Sequence, residues 1–341
     1  MNGNHDSEKK IGICVRSVVF LLTTWWGCLI APGVCAQREE LQVFEVADHI
    51  GRRWSNELVL FDLGEGAPRE EDGCELLGPD EQSVPFQIVQ QKDGAQIAFQ
   101  VDPEPGESKT FRLVESKNRR EYETDIRIVT QNTRIRLQND LTGIAVPTRK
   151  GEHRAGPIAA IRLRSGEWVG GSRLQTGREV TGYSARIVER GPVFADLECG
   201  YRFEDDRSWS IRFRLMAGEP IVLVEERFDL GEEEARFAVN LGRNFSPDYM
   251  LYRESGINGR RQRKDELDHR SEKPLFVLEP WVHWWRGRQR GLWLALGADN
   301  HPDLLYVASR NGSGWIDPES GANAGVGRLV AREGKLEMAF N

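Results

Sequence analysis

The stretch GPVFADLECGYRFEDDRSWSIRFRLM, residues 191–216, decides how the chain is read. Apolar and polar residues alternate on both sides of EDDR (204–207). Val193, Ala195, Leu197, Cys199, Tyr201 and Phe203 share one side of the first run, and Asp196, Glu198 and Arg202 share the other. In the second run Trp209, Ile211, Phe213 and Leu215 fall together, with Arg212 and Arg214 opposite. A period of two belongs to a strand with one face buried. The charged EDDR between the runs reads as a hairpin turn. AGEP (217–220) then leads into IVLVEERFDL, so the stretch predicts an antiparallel meander.

The same period extends outward in both directions. Upstream it predicts strands at 126–137, 158–164, 167–171 and 182–190. Downstream it predicts them at 235–240, 275–286, 291–297, 304–309 and 326–331, and the chain ends on the strand-like GKLEMAFN. An earlier group, ELVLFDL (57–63), VPFQIVQ (84–90), QIAFQV (96–101) and TFRLVE (110–115), is separated by Asp, Gly and Pro clusters and forms a small β unit. Polar ESKNRREYE (115–123) is the expected junction. No long helical stripe occurs after the N-terminal segment; KDELDHR (264–270) suits one turn of helix in a loop. The expected fold class is therefore all-β: a small N-terminal β domain at 37–118, then a large antiparallel β-sandwich at 119–341.

Residues 1–36 differ in kind. Lys9, Lys10 and Arg16 precede the apolar run SVVFLLTTWWGCLIAPGVCA, which ends in small residues after Pro32-Gly33. Basic, apolar, small is the order of a secretory signal, so the protein is expected to be exported; an uncleaved anchor is the other reading. Removal at 36 leaves Cys74, in a polar stretch, and Cys199, on an inward strand face. Two cysteines make neither a disulfide framework nor a zinc site. The 341 residues carry a net charge of −7, with 39% hydrophobic and 29% charged residues and 35 glycines. That balance fits a turn-rich globular protein and argues against nucleic acid as a partner.

The segment 183–230, with Glu189-Arg190-Gly191-Pro192 before the meander and Glu225-Glu226 near its end, resembles the large sandwich of secreted carbohydrate-active proteins. Those are polysaccharide lyases and glycosidases with a galactose-mutarotase-like supersandwich. Residues 56–115 resemble the small β domain that precedes it in exo-acting rhamnogalacturonan-lyase-like proteins. The resemblance implies carbohydrate binding or processing. Many such enzymes add an α/α toroid, and no region of this sequence could form one. Fold likeness alone does not establish function.

No serine-hydrolase elbow, zincin motif, phosphate loop or Cys-x-x-Cys pair occurs. The strongest local signal is EPWVHWWRGRQRGLWLAL (279–296). Trp281, Trp284, Trp285, Trp293 and Trp315 are five of the eight tryptophans beyond the N-terminal segment. Residues 258–290 hold nine Lys/Arg against five Asp/Glu. Indoles stack on the C–H faces of sugars, and arginines pair with carboxylates in a two-pronged geometry. Trp281, Trp284, Trp285, Arg286 and Arg288 are thus expected ligand residues, and an anionic polysaccharide the expected partner. Strand alternation also requires part of WVHWW to be core, with RGRQRG (286–291) a hairpin loop.

A lyase needs a base and a cation beside the uronate carboxylate. His283, with Arg286 or Arg288, and Tyr249 and Tyr252 are candidates. A glycosidase needs two carboxylates instead, for which Glu225, Glu226 and Glu279 are available. Asp299, His301 and Asp303 alternate but read as a turn, so neither metal nor cofactor is expected. Three functions stay open: the β portion of a polysaccharide-lyase-like architecture, a complete small lyase or mutarotase-like epimerase, and a non-catalytic envelope protein.

Overall fold

The computed structural model describes residues 13–18, residues 39–228 with short breaks (at 52, 65–67, 69–72, 92–93, 117–120, 132, 149–155 and 205), and, beyond 228, eight separate strands and Asp299. Side chains are described within 39–225 and at Asp299. The described residues form strands and connections with no helix, and the fold is an all-β sandwich. The chain divides into two compact units, Met1–Glu123 with Gly191–Val193, and Thr124–Arg190 with Phe194–Asn341.

The first unit holds two sheets. One has the order Ile13–Val18, Glu40–Asp48, Ser108–Glu115, Cys74–Leu77; the other Glu57–Asp62, Gly94–Val101, Phe86–Gln91. Their shared core centres on Phe44, Phe61, Phe99 and Phe111, with Phe61 and Phe99 stacked at 5.7 Å between ring centroids. Cys74, which sits in a polar stretch of sequence, is buried in a short strand opposite Glu115. Cys74 and Cys199 are both free thiols. Asp48 is buried yet saturated: it accepts hydrogen bonds from Ile50 N–H (3.0 Å), Trp54 Nε1–H (3.1 Å) and Gly106 N–H (2.9 Å). A buried carboxylate needs such donors.

In the second unit a nine-stranded sheet dominates. Its strands are β1 (Val180–Arg190), β2 (Phe194–Phe203), β3 (Ser208–Met216), β4 (Ile221–Phe228), β5 (Tyr249–Arg253), β6 (Gly259–Arg263), β7 (Trp293–Gly297), β8 (Leu304–Ser309) and β9 (Lys335–Phe340). The spatial order is β1-β2-β3-β4-β9-β8-β7-β5-β6, antiparallel throughout. β2 and β3 are the hairpin read from 191–216. Its turn is closed by Phe203 N–H to Arg207 O (2.9 Å) and Asp206 N–H to Phe203 O (3.2 Å), with Asp206 at φ 63°. A left-handed backbone is tolerated by Asp better than by most residues.

A five-stranded sheet, Trp168–Val169, Ala160–Arg162, Gly143–Pro147, Arg134–Gln138, Arg127–Thr130, supplies the second layer. Ile135, Leu137, Ile144, Val146 and Ile161 share one core with Leu197, Cys199, Ile211, Phe213, Leu215, Val222 and Val224. The continuous strand expected over 126–137 is instead a hairpin, turning between Gln131 and Arg134. Gly143–Pro147 follows a second turn built by Asn139, whose Oδ1 accepts from Leu141 and Thr142 N–H while Nδ2 donates to Met216 and Glu219 carbonyls.

Gly191, the glycine of Glu-Arg-Gly-Pro, has a local reason. A Cβ there would lie 2.9 Å from the Gln87 Cβ and overlap the Gln87 amide. That amide is buried and its Oε1 accepts from Val193 N–H at 3.2 Å, so it has no free rotation out of the way. Gly191→Ala is therefore expected to destabilise the protein by about 1–3 kcal/mol, the usual range for overpacking. Urea unfolding of the variant checks this; an unchanged midpoint would show that Gln87 yields.

Candidate functional site

Register fixes which side chains meet on the face of the nine-stranded sheet opposite the core. Arg186, Glu198, Arg212, Glu225 and Lys335 stand directly opposite one another across β1, β2, β3, β4 and β9, a row of alternating charge. The next row begins Glu189, Asp196, Arg214, Leu223, Glu337. Asp196 is fully buried, and Arg214 grips it with Nε–Oδ1 and Nη2–Oδ2 contacts of 2.8 Å each. The Arg214 guanidinium also lies 4.0 Å over the Phe194 ring, which the charge covers. Glu198 accepts from Arg186 Nε (3.0 Å) and Nη2 (2.7 Å), and from Arg212 Nη2 at 3.4 Å.

Burial pushes the Glu198 carboxyl upward, but its hydrogen bond to Arg186 and the charges of Arg186 and Arg212 outweigh that and hold it below the usual range. On the core side, burial raises the Tyr183 and Tyr201 hydroxyls well above their ordinary value and pushes the Cys199 thiol up to about 12. Tyr183 donates to Pro147 O at 2.8 Å and lies 3.3 Å from Cys199 Sγ. A general acid and base need partners whose proton affinities are pushed apart toward neutrality. This constellation does the reverse, and its chemistry is that of a clasp. Glu225 belongs to it by position, opposite Arg212 and Lys335. Glu226 stands opposite Ile211, on the strand parity of the core residues Val222 and Val224.

The other expected site residues lie elsewhere. Tyr249 on β5 is opposite Arg263 on β6 and Gly297 on β7; Tyr252 is opposite Arg260 and Leu294. Three residues apart, the two tyrosines fall on opposite faces of the sheet. Trp281, His283 and Trp284 lie on a strand, Trp281–Trp284, that pairs with Phe276–Glu279 in a two-stranded sheet. Glu279 is opposite Trp281 and Val277 opposite His283. The expected pairing of 275–286 with 291–297 through RGRQRG is therefore corrected. Phe276–Glu279 and Trp281–Trp284 pair antiparallel with each other, and β7 pairs with β5 and β8. Trp285, Arg286 and Arg288, with Trp315, His301 and Asp303, lie outside the described residues. Asp299 is exposed, and no group of three His, Cys, Asp or Glu suited to a metal occurs among the described residues. Nor is any helix among them long and apolar enough to cross a membrane.

No protein-family model matches the chain. No curated protein sequence matches it either. Solved structures do. An α-mannosidase from Enterococcus faecalis V583 superposes with a TM-score of 0.56 at 10% identity, over 90% of this chain and 44% of that one. A protein in glycosyl hydrolase family 38 from the same species gives 0.52 at 9% identity, over 88% and 44%. This chain spans less than half the length of either. The likeness is one of fold, to a β-rich architecture found in carbohydrate-active enzymes.

The clasp carries its own expectation. Arg214→Met leaves the buried Asp196 carboxylate without its two short hydrogen bonds, with only the Arg212 guanidinium 3.9 Å away, and should cost about 3 kcal/mol. Arg186→Ala, where 67% of the arginine side chain is exposed, should cost less than about 1 kcal/mol. Because the Glu198 carboxyl is lowered in the folded state, its stabilising contribution is complete above the ordinary glutamate range. It is lost as pH falls through the lowered value. Urea unfolding from neutral to acid pH tests both statements: equal losses in the two variants, or an acid limb unchanged by Arg186→Ala, would contradict them.

Proposed function

We propose that this chain is the β portion of an exported carbohydrate-active protein that recognises an anionic polysaccharide. The observation that carries the reading is the fold likeness over 90% of the chain to a structure described as an α-mannosidase. The concentration of tryptophan and arginine in 258–290 supports an acidic sugar polymer as the ligand. Export rests on the basic-apolar-small order of residues 1–36. Removal there would take away the strand Ile13–Val18 and leave Glu40–Asp48 at a sheet edge.

A catalytic version of this reading has one observation in its favour. Tyr249 and Tyr252 each stand opposite an arginine of β6. A tyrosine beside a guanidinium is a suitable base–cation pair for eliminating across a uronate, as a polysaccharide lyase does.

A glycan array, paired with an absorbance assay for unsaturated uronate ends on several polyuronates, tests the proposal. Binding to polyuronates, weakened about tenfold or more by Trp281→Ala or Trp284→Ala, is the expected result, since aromatic anchors commonly contribute that much. Binding to neither acidic nor neutral glycans would overturn it. Absorbance that grows with time and is abolished by Tyr249→Phe or Tyr252→Phe would establish the lyase version.

A further inference from the structure

The non-core face of the large sheet changes character along its width. Over β1 to β4 it is charged, and Arg212 keeps 30% of its side chain exposed there. The rows that continue from it are different. Arg214–Leu223–Glu337 runs on to Ala308 and Trp293. The next row reads Ile221, Ala339, Tyr306, Ala295, Leu251, Arg261, and the one after it Leu304, Gly297, Tyr249, Arg263. Directly opposed residues share a face, so Trp293, Tyr306 and Tyr249 occupy the same side of the sheet as the charge ladder.

Three features of this placement belong together. Each aromatic is opposed by a residue with little or no side chain: Trp293 by Ala308, Tyr306 by Ala295, Tyr249 by Gly297. Trp293 and Tyr306 are diagonal neighbours on adjacent strands, roughly 7–8 Å apart by strand geometry. The aromatic rows end on the edge strand β6, where Arg260, Arg261 and Arg263 are three of five residues. Their register partners are Tyr252, Leu251 and Tyr249, whereas Arg186, Arg212 and Arg214 each face an Asp or Glu. An edge arginine does discourage strand addition. Edge protection alone does not call for aromatics spaced by alanine and glycine on the strands beside it.

We infer that this face, from Trp293 and Tyr306 through Tyr249 to Arg261 and Arg263, is a docking surface for the acidic polysaccharide. Sugar rings stack along the aromatics, and the β6 arginines take the carboxylates in two-pronged contacts. The inference rests on the carbohydrate reading above and adds a second set of contacts to those expected of the Trp281–Trp284 strand. It also makes binding sensitive to salt, because edge charges are screened.

Isothermal titration of the full chain with polygalacturonate, and with the same polymer methyl-esterified, tests it. The wild type should bind the free acid and bind the ester at least about tenfold more weakly. Trp293→Ala, Tyr306→Ala and the double variant Arg261→Gln/Arg263→Gln should each lose about tenfold or more, with circular dichroism unchanged. Arg186→Ala, at the far end of the same face, should bind as wild type. If the wild type binds but the folded arginine double variant and either folded aromatic variant bind equally well, this surface is wrong while the carbohydrate reading stands. If the wild type binds no glycan, both fail. If it instead self-associates in sedimentation and Trp293→Ala abolishes that, the occupant is a second copy and the inference is overturned.

Discussion

Register in the β2–β3 hairpin is the constraint on which the larger unit depends. The turn between Phe203 and Arg207 brings Asp196 opposite Arg214 and Cys199 opposite Ile211. A slip by one residue would send Trp209, Ile211, Phe213 and Leu215 to the wet face and Arg212 and Arg214 into the core. The apolar row Ala195, Leu215, Val222, Met338, Val307, Leu294, Tyr252 crosses seven strands and ends on Arg190 at one sheet edge and Arg260 at the other. Once the hairpin register is set, each further strand inherits its facing from the one before it.

The buried ion pair enforces that choice more than it adds stability. Asp196 with Arg214 replaces water with two short hydrogen bonds, and a pair so desolvated roughly breaks even against apolar substitutes. What it does is make every other register expensive, since a slipped Asp196 would be buried without a cation. The surrounding Glu198, Arg186 and Arg212 contacts are more exposed and weaker individually. They extend the same preference across β1 to β3, and Glu225 and Lys335 continue the row by register on β4 and β9.

Local pattern was legible in the sequence, and long-range neighbours were not. The alternation in 191–216 displayed the meander, the burial of Cys199 and the two faces, because one turn joins the strands. The break between Thr130 and Arg134 was hidden in an otherwise alternating run; its signal was Asn132, a residue that favours turns. Cys74 looked polar because its neighbours in sequence are acidic, yet it pairs with a strand forty residues on. The insertion of β9 between β4 and β8 has no local signature at all. The same limit applies to function. WVHWW drew attention by composition, but the strand Trp281–Trp284 pairs with Phe276–Glu279 and not with β7. Trp293 counts in the sequence only as one of a tryptophan cluster, and Tyr306 carries no signal until β7 and β8 are aligned.

That alignment bears on how a sheet can serve structure and recognition together. A face made of ion pairs is well suited to fixing register and poorly suited to binding, because each charge is already answered by its neighbour. On β1 to β4 the pairs are answered in this way. On β5 to β8 the same face carries aromatics against alanine and glycine, and its arginines stand opposite tyrosine and leucine. Core and clasp already specify the register of the larger sheet from its β1 end. The far end is therefore relieved of that task.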